Sequence, residues 1–307
     1  MDLQADDGEN PRPYGRFQRG HREILARLPP LPPGEGRGEG ATGSDSSLSY
    51  NAPMAIAWVE ERLGDAFVFR PNSSPAGVVV AVSSGGVAPE GTVSPTEFLA
   101  RRFARALGLA DIPIVRASQV HGTRAVRVSE KPAPDSMLDA GRCDILVTTL
   151  PGVALVIQTA DCVPVLLTAP GAVAVAHAGW RGSAVNAAGV AVEELRALGV
   201  AAADLRAWLG PSIGSCCYEV GGEVAAQFAG EFARRSCDAR FVLDLPAVNR
   251  AQLAAAGVPA ENISVHPACT RCGGEKYASY RRDSAAAGRM IALIARLQER
   301  PPESGMR

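Results

Sequence analysis

One apolar stretch, QTADCVPVLLTAPGAVAVAHAGWRG over residues 158–182, constrains this chain more than any other. Its two apolar halves, residues 163–168 and 172–176, have strand length and β-branched content, and Ala169-Pro170-Gly171 between them is a turn signal. The pattern predicts a hairpin. A hairpin sets Cys162 beside His177, although fifteen positions separate them in sequence. A thiol paired with an imidazole is either half of a metal site or a nucleophile with its base, and the rest of the chain has to decide between them.

With 307 residues the chain is long enough to bury a full core. Aromatic residues are scarce and Ala, Val and Leu carry the apolar fraction, which suits an α/β protein with small-residue helix packing. A net charge of −1 gives no reason to expect nucleic acid or an anionic membrane surface as partner. The seven cysteines, at 143, 162, 216, 217, 237, 269 and 272, are odd in number and lack the spacing of a secreted disulfide framework. The most apolar stretch is interrupted by Gln158, Asp161, Pro164 and Pro170, so no membrane span is expected. The acidic start of the chain has no signal-peptide pattern, and the expected location is cytoplasmic.

Residues 1–53 are rich in Pro, Gly and Ser and read as a disordered low-complexity leader. Residues 54–300 carry the core-forming segments, enough for one large or two small domains, and 301–307 read as a flexible tail. Within 54–300, residues 77–82 read as a buried strand. Ser94-Pro95-Thr96-Glu97 reads as a capping box opening a helix that ends near Gly108. Strands are expected at 144–149, 153–159, 241–243 and 263–265. Helices are expected from Ser183 to Gly199, over 223–235, over 245–256, and at the C-terminus through Met290, Ile291, Ile294 and Leu297. Strands that occur in runs as well as in alternation with helices predict a mixed sheet layered with helices.

A catalytic zinc takes three protein ligands, with Cys and His the commonest donors. The chain has four histidines, and His21 lies in the leader, which leaves His121, His177 and His266. His121, Cys162 and His177 meet the ligand count if their loops converge. Several copper centres would need more imidazoles than this, so copper enters only as a single ion in place of zinc. Cys269-x-x-Cys272 is half of a structural zinc knuckle, but the adjacent pair Cys216-Cys217 does not have the spacing of a second half. A metal-free alternative makes Cys162 the nucleophile of a cysteine hydrolase or amidase with His177 as base; it needs only the hairpin and leaves His121 without a role.

The segments QVHGTRAV (119–126), QTADCVPVLL (158–167), HAGWRG (177–182), GPSIGSCCYEVGGEV (210–224), LDLPAVNRAQL (243–253), CTRC (269–272) and SYRRD (279–283) together resemble the laccase-domain family. Its members were once called multicopper polyphenol oxidases and are now called peptidoglycan editing factor or purine nucleoside phosphorylase proteins. The resemblance implies a single layered α-β-β-α domain of α/β (α+β) class with mixed sheets, similar to the catalytic domain of cytotoxic necrotizing factor. It also implies one zinc on His121, Cys162 and His177, phosphorolysis of adenosine, inosine and methylthioadenosine, and deamination of adenosine. A peptidoglycan precursor is a further substrate attributed to relatives.

For such chemistry Asp161, beside Cys162, is the nominee for proton transfer, and Arg181 and Arg281 are the nominees for holding phosphate. Gln119 and Tyr280 are expected to hydrogen-bond the purine or ribose. The plainer readings are that Asp161 orients its loop and that the arginines are salt-bridge partners. One position departs from the resemblance: Ser83 stands where the family's Thr-Thr-Arg-x-Gly-Gly signature has arginine.

Overall fold

The computed structural model describes residues 57–64, 66–236 and 240–298. The leader and tail expected at 1–53 and 301–307 lie outside the described residues. The described residues open with strands β1 (Trp58–Leu63), β2 (Ala66–Pro71) and β3 (Val78–Ser83), then helix α1 (Pro95–Ala106). Next come β4 (Ile114–Ser118), β5 (Ala125–Val128), β6 (Met137–Arg142), β7 (Ile145–Thr148), β8 (Val153–Thr159), β9 (Val163–Ala169) and β10 (Ala172–Ala178). Helices α2 (Trp180–Ala184) and α3 (Ala187–Arg196) lead to β11 (Arg206–Leu209), β12 (Glu219–Val220), α4 (Gly222–Ala225), β13 (Ala233–Arg235) and β14 (Phe241–Leu243). Helix α5 (Leu245–Ala255), β15 (Ile263–Val265), α6 (Tyr280–Asp283) and β16 (Met290–Arg296) follow, and short 3-10 turns lie at Ala202–Asp204, Ala260–Asn262 and Ser284–Ala286.

Two mixed sheets stack face to face. One has seven strands in the order β1-β2-β3-β16-β8-β4-β6, the other six in the order β15-β11-β9-β10-β7-β5. The layer between them is built by Phe69, Val82, Leu155, Ile157 and Ile294 of the first sheet and Leu146, Leu166, Val175 and Trp208 of the second. Alternate residues of the same strands point outward. Val165, Leu167 and Ala174 meet Ala188, Ala191, Val192 and Leu195 of α3 and Val248 and Leu253 of α5. On the far side Ala81, Val156 and Leu293 meet Leu99, Ala100 and Phe103 of α1. The result is the α-β-β-α layering expected. Strands β9 and β10, covered on both faces, are buried throughout, which is why they read as continuous apolar runs.

The expected hairpin is β9–β10, with Ala172 opposite Ala169, His177 opposite Pro164 and Ala178 opposite Val163. Other expectations need correction. The C-terminal helix is strand β16, central in the seven-stranded sheet between β3 and β8. MIALIAR buries Met290, Ala292 and Ile294 on one face and Ile291, Leu293 and Ala295 on the other, so neither period shows in the sequence. The helix expected from Ser183 breaks at Asn186, which takes left-handed φ 69° and caps α3 by accepting the N–H of Gly189. The helix expected over 223–235 is one turn, α4, followed by strand β13. Ser94 does precede α1, with Pro95 in its first turn, but makes no side-chain cap, and Glu97 pairs instead with Arg101.

Among the described residues the chain passes from the seven-stranded to the six-stranded sheet three times, between β4 and β5, between β6 and β7, and between β8 and β9, each time at the edge of the fold formed by the C-terminal ends of the parallel strands β4, β6 and β8. These crossings carry His121, Asp144 and Asp161-Cys162. β10 ends at that edge with His177. His121 and Asp161 adopt positive φ, 61° and 90°, a conformation disfavoured for side chains other than Gly. Such strain persists only where the surroundings over-determine it.

Candidate metal centre

The hairpin pairing explains how Cys162 and His177 meet: they lie one residue outside and one residue inside the closing pair Val163 and Ala178. The third group arrives from the β4–β5 crossing. One ligand atom each from His121, Cys162 and His177 lies within 4.8 Å of the other two, and the two imidazole rings stand edge to face with centroids 4.8 Å apart. His177 is buried, Cys162 half-buried and His121 exposed, so the cluster opens to solvent on the His121 side.

Asp144, fully buried, is the group around which this edge is assembled. Its carboxylate accepts the backbone N–H groups of Val120, His121 and Gly122 at 3.2, 2.9 and 2.7 Å and faces His177 Nδ1 at 2.8 Å. Burial raises its pKa, but the His177 bond and the N–H groups of Gly122 and Val120 outweigh it and hold the carboxyl below its usual range. An imidazole whose Nδ1–H is bound to a carboxylate presents Nε2 as the free donor atom. Burial likewise raises Cys162, yet hydrogen bonds from His121 and His177 bring the thiol down to about 6. His177 is pushed up to about 9: burial opposes this, and the Asp144 and Cys162 bonds override it.

Gly179 leaves room for the cluster. A Cβ there would lie 2.9 Å from Cys162 Sγ and 3.0 Å from His121 Cδ2. Two imidazoles and a depressed thiol around a space that a methyl group would obstruct fit a single metal ion, with the fourth side left to solvent. His266 takes no part: it packs among the rings of Trp58, Phe69 and Tyr277, and its Nδ1 accepts the N–H of Ala268.

The other residues singled out from sequence lie at or behind this edge. Asp161 accepts the Thr270 hydroxyl at 2.6 Å on one oxygen and the Arg281 N–H at 2.6 Å on the other, while its carbonyl accepts the N–H of Ile213. Gln119 clips β4 to β8, its amide donating to the Gln158 carbonyl and accepting the Gln158 N–H. Arg181 lies over the Trp180 ring. Arg281 lies over Tyr218 and donates to the Glu219 carbonyl. Tyr280 is 58% exposed. Ser83 ends β3, donating to the Ser84 carbonyl and accepting the N–H of Ile291.

Three residues were missed. Asp144 read as the first residue of a strand, and only its acidic character ahead of an apolar run hinted at more. Tyr218 lies close enough to the Cys162 thiol for the sulfur's charge to act on it; burial, then that charge, push its phenol up to about 12. Arg282, rather than Arg281, ties down the preceding loop, donating to the carbonyls of Thr270, Arg271, Gly274 and Tyr277.

Among the described residues no helix is long and apolar enough to cross a membrane. Residues 97–297 match the family model described as multi-copper polyphenol oxidoreductase laccase. The purine nucleoside phosphorylase YlmD of Geobacillus stearothermophilus is 36% identical over 65% of this chain and 78% of its own length. The adenosine deaminase RL5, from an unknown prokaryotic organism, is 36% identical over 63% of this chain and 79% of its own length. The crystal structure of the Geobacillus YlmD aligns with a TM-score of 0.69 and 32% identity, covering 78% of this chain and 100% of that one. The chain therefore belongs to the multi-copper polyphenol oxidoreductase laccase family, whose relatives here bear the names of purine nucleoside enzymes.

Proposed function

We propose that this protein is a zinc-dependent purine nucleoside enzyme that phosphorolyses adenosine, inosine and methylthioadenosine and deaminates adenosine. The observation that carries the reading is the convergence of His121, Cys162 and His177 at one solvent-open point, with Asp144 buttressing two of the three. The names of the relatives support the substrate class.

His121, His177 through its free Nε2, and Cys162 through Sγ would hold the ion. Zinc held by such donors supplies Lewis acidity near neutral pH. In phosphorolysis a phosphate oxygen bonds to ribose C1′ as the C1′–N9 bond breaks, and its electron pair leaves with the purine, which takes up a proton. In deamination water adds at C6 and ammonia leaves. In this reading Arg181 and Arg281 hold the phosphate, and Tyr280 and the remaining N–H of Gln119 contact the nucleoside. Tyr218, protonated well above neutral pH, donates a hydrogen bond where negative charge develops. Asp161 has a protein donor on each oxygen. Each oxygen keeps a second lone pair for proton transfer, and the two bonds hold the Cys162 loop.

Adenosine, inosine, methylthioadenosine and a muropeptide precursor, each incubated with zinc-loaded protein with and without phosphate, test the proposal. Free purine that forms only with phosphate, and inosine from adenosine, both lost in Cys162→Ala, are expected. A second reading has its own support: Asp144, His177 and Cys162 line up as carboxylate, imidazole and depressed thiol, the order of a metal-free cysteine hydrolase. Amide hydrolysis that survives full chelation would favour it and overturn the first.

A further inference from the structure

We propose that Cys216, Cys217, Cys269 and Cys272 form a second metal site, a mononuclear tetrathiolate for a soft divalent ion of the zinc class. It is separate from the centre on His121, Cys162 and His177. The adjacent pair, set aside on spacing, is brought to the CTRC segment by the fold: all four sulfurs lie within 4.8 Å of one another.

The spacing is that of a shared ion. Zinc–sulfur bonds of about 2.3 Å in a tetrahedron put the sulfurs about 3.8 Å apart. Cys216 Sγ lies 3.7 Å from Cys217 Sγ and 3.7 Å from Cys272 Sγ. A disulfide would require about 2.05 Å. Four thiolates in tetrahedral array select zinc or iron among the common metals, and the absence of any wider spacing among the four favours one ion over a cluster.

The loops are shaped around the sulfurs. The Cys269 sulfur accepts the backbone N–H groups of Cys272, Arg271 and Gly214, an arrangement that stabilises a ligating thiolate. The N–H of Gly273 donates to the Cys269 carbonyl at 2.8 Å, and a Cβ at Gly273 would lie 2.6 Å from that oxygen. On the other loop the N–H groups of Cys217 and Tyr218 both donate to the Gly214 carbonyl, a turn that aims two adjacent cysteines at one side. A Cβ at Gly214 would lie 3.3 Å from Cys269 Cβ and 3.5 Å from Cys216 Sγ. A parallel bridge between Ser212 and Cys269 pins the loops together. Cys216 and Cys272 are exposed, which gives an ion a way in, while Cys269 is buried.

Such an ion would clamp the wall behind the first centre. Its two loops supply the Ile213 N–H and the Thr270 hydroxyl that grip Asp161, and Tyr218 follows Cys217 directly. The ion therefore acts on the shape of the pocket and takes no part in chemistry at the first centre.

Metal content of the full chain, prepared without air, tests this in a Cys162→Ala background, which disables the first centre. One zinc equivalent per chain is expected to remain. Cobalt(II) added alone to the metal-stripped protein should give sulfur-to-metal charge transfer and the intense visible bands of a tetrahedral four-thiolate site. Cys269→Ser should lose the zinc. Cys216→Ser, at the exposed rim, is the second variant should Cys269→Ser fail to fold, and should weaken the charge-transfer band at unchanged circular dichroism. A Cys162→Ala protein that takes up neither zinc nor cobalt, or a cobalt spectrum indifferent to Cys216→Ser, would overturn the proposal. Because nucleoside turnover is not the readout, this result stands or falls apart from that of the first centre.

Discussion

Asp144 Oδ1 lies 2.8 Å from His177 Nδ1 and also accepts the backbone N–H of His121 at 2.9 Å, so one carboxylate oxygen fixes two of the three donors of the first centre. Asp144→Asn keeps the size of the side chain but turns one acceptor into a donor, facing either a backbone N–H or the His177 ring. Removing a buried, charge-assisted acceptor of this kind costs on the order of 3 kcal/mol. Losing the partner that orients a ligating imidazole lowers metal affinity roughly 10–100-fold. Zinc competition against a chelator and urea unfolding of the same variant measure both effects. Unchanged zinc affinity would mean that Asp144 serves the fold alone.

Gly179 permits a separation of fold from site. Its backbone, φ −74° and ψ 176°, is one that alanine adopts without strain. The added methyl would nevertheless meet Cys162 Sγ and His121 Cδ2 inside contact distance. Gly179→Ala should therefore leave the unfolding midpoint nearly unchanged, within about 1 kcal/mol. Zinc binding at the first centre should fall by at least about tenfold, as expected when ligand geometry is disturbed. A variant that binds zinc normally would show that the thiol and ring can move aside, and that the cluster is looser than its packing indicates.

The hairpin that carries Cys162 and His177 was legible because two apolar runs with a Pro-Gly turn leave few alternatives, and the pairing of Ala172 with Ala169 follows from that turn. Helix α5 was legible for a similar reason: Asp244 caps it and Gly257 follows its end. Strand β16 was not, because a segment buried on both faces between two strands carries no amphipathic period, and MIALIAR satisfies helix and strand templates alike. Nor was Asn186, whose left-handed φ splits α2 from α3, since alanines on both sides continue the helical pattern. Asp144 and the four-cysteine cluster escaped for a topological reason. Each depends on which crossings share an edge, and local spacing does not encode that.

Cys162 should titrate far below an ordinary thiol in metal-stripped protein. Its pKa is lowered from 9.0 to about 6 because the hydrogen bonds from His121 and His177 outweigh the effect of burial. The thiolate is then present above about pH 6, and the rate of iodoacetamide alkylation at Cys162 should rise with a midpoint there, well below the usual thiol range. Zinc should protect the residue. Peptide mapping assigns the label among the other cysteines. A midpoint near 9 would show that the imidazoles do not hold the thiolate, and would remove the electrostatic ground for the hydrolase reading as well.

His266 makes stability depend on acid pH. Burial among Trp58, Phe69 and Tyr277 lowers its pKa from 6.5 to about 4, opposed by the charge of Glu60, and its Nδ1 accepts the Ala268 N–H, which requires that nitrogen unprotonated. The unfolded chain protonates the ring near pH 6.5 while the folded state keeps it neutral to about 4, so the unfolded state holds the extra proton between these values. The contribution of the neutral ring is complete above about 6.5 and is lost as pH falls toward 4. Discounted for the ring's partial contact with solvent, the loss is about 2 kcal/mol. Urea unfolding of wild type between pH 7 and pH 4 should show this decline, and His266→Phe, which has nothing to protonate, should flatten it. Both proteins declining equally would show that the acid sensitivity in this range does not come from the His266 ring.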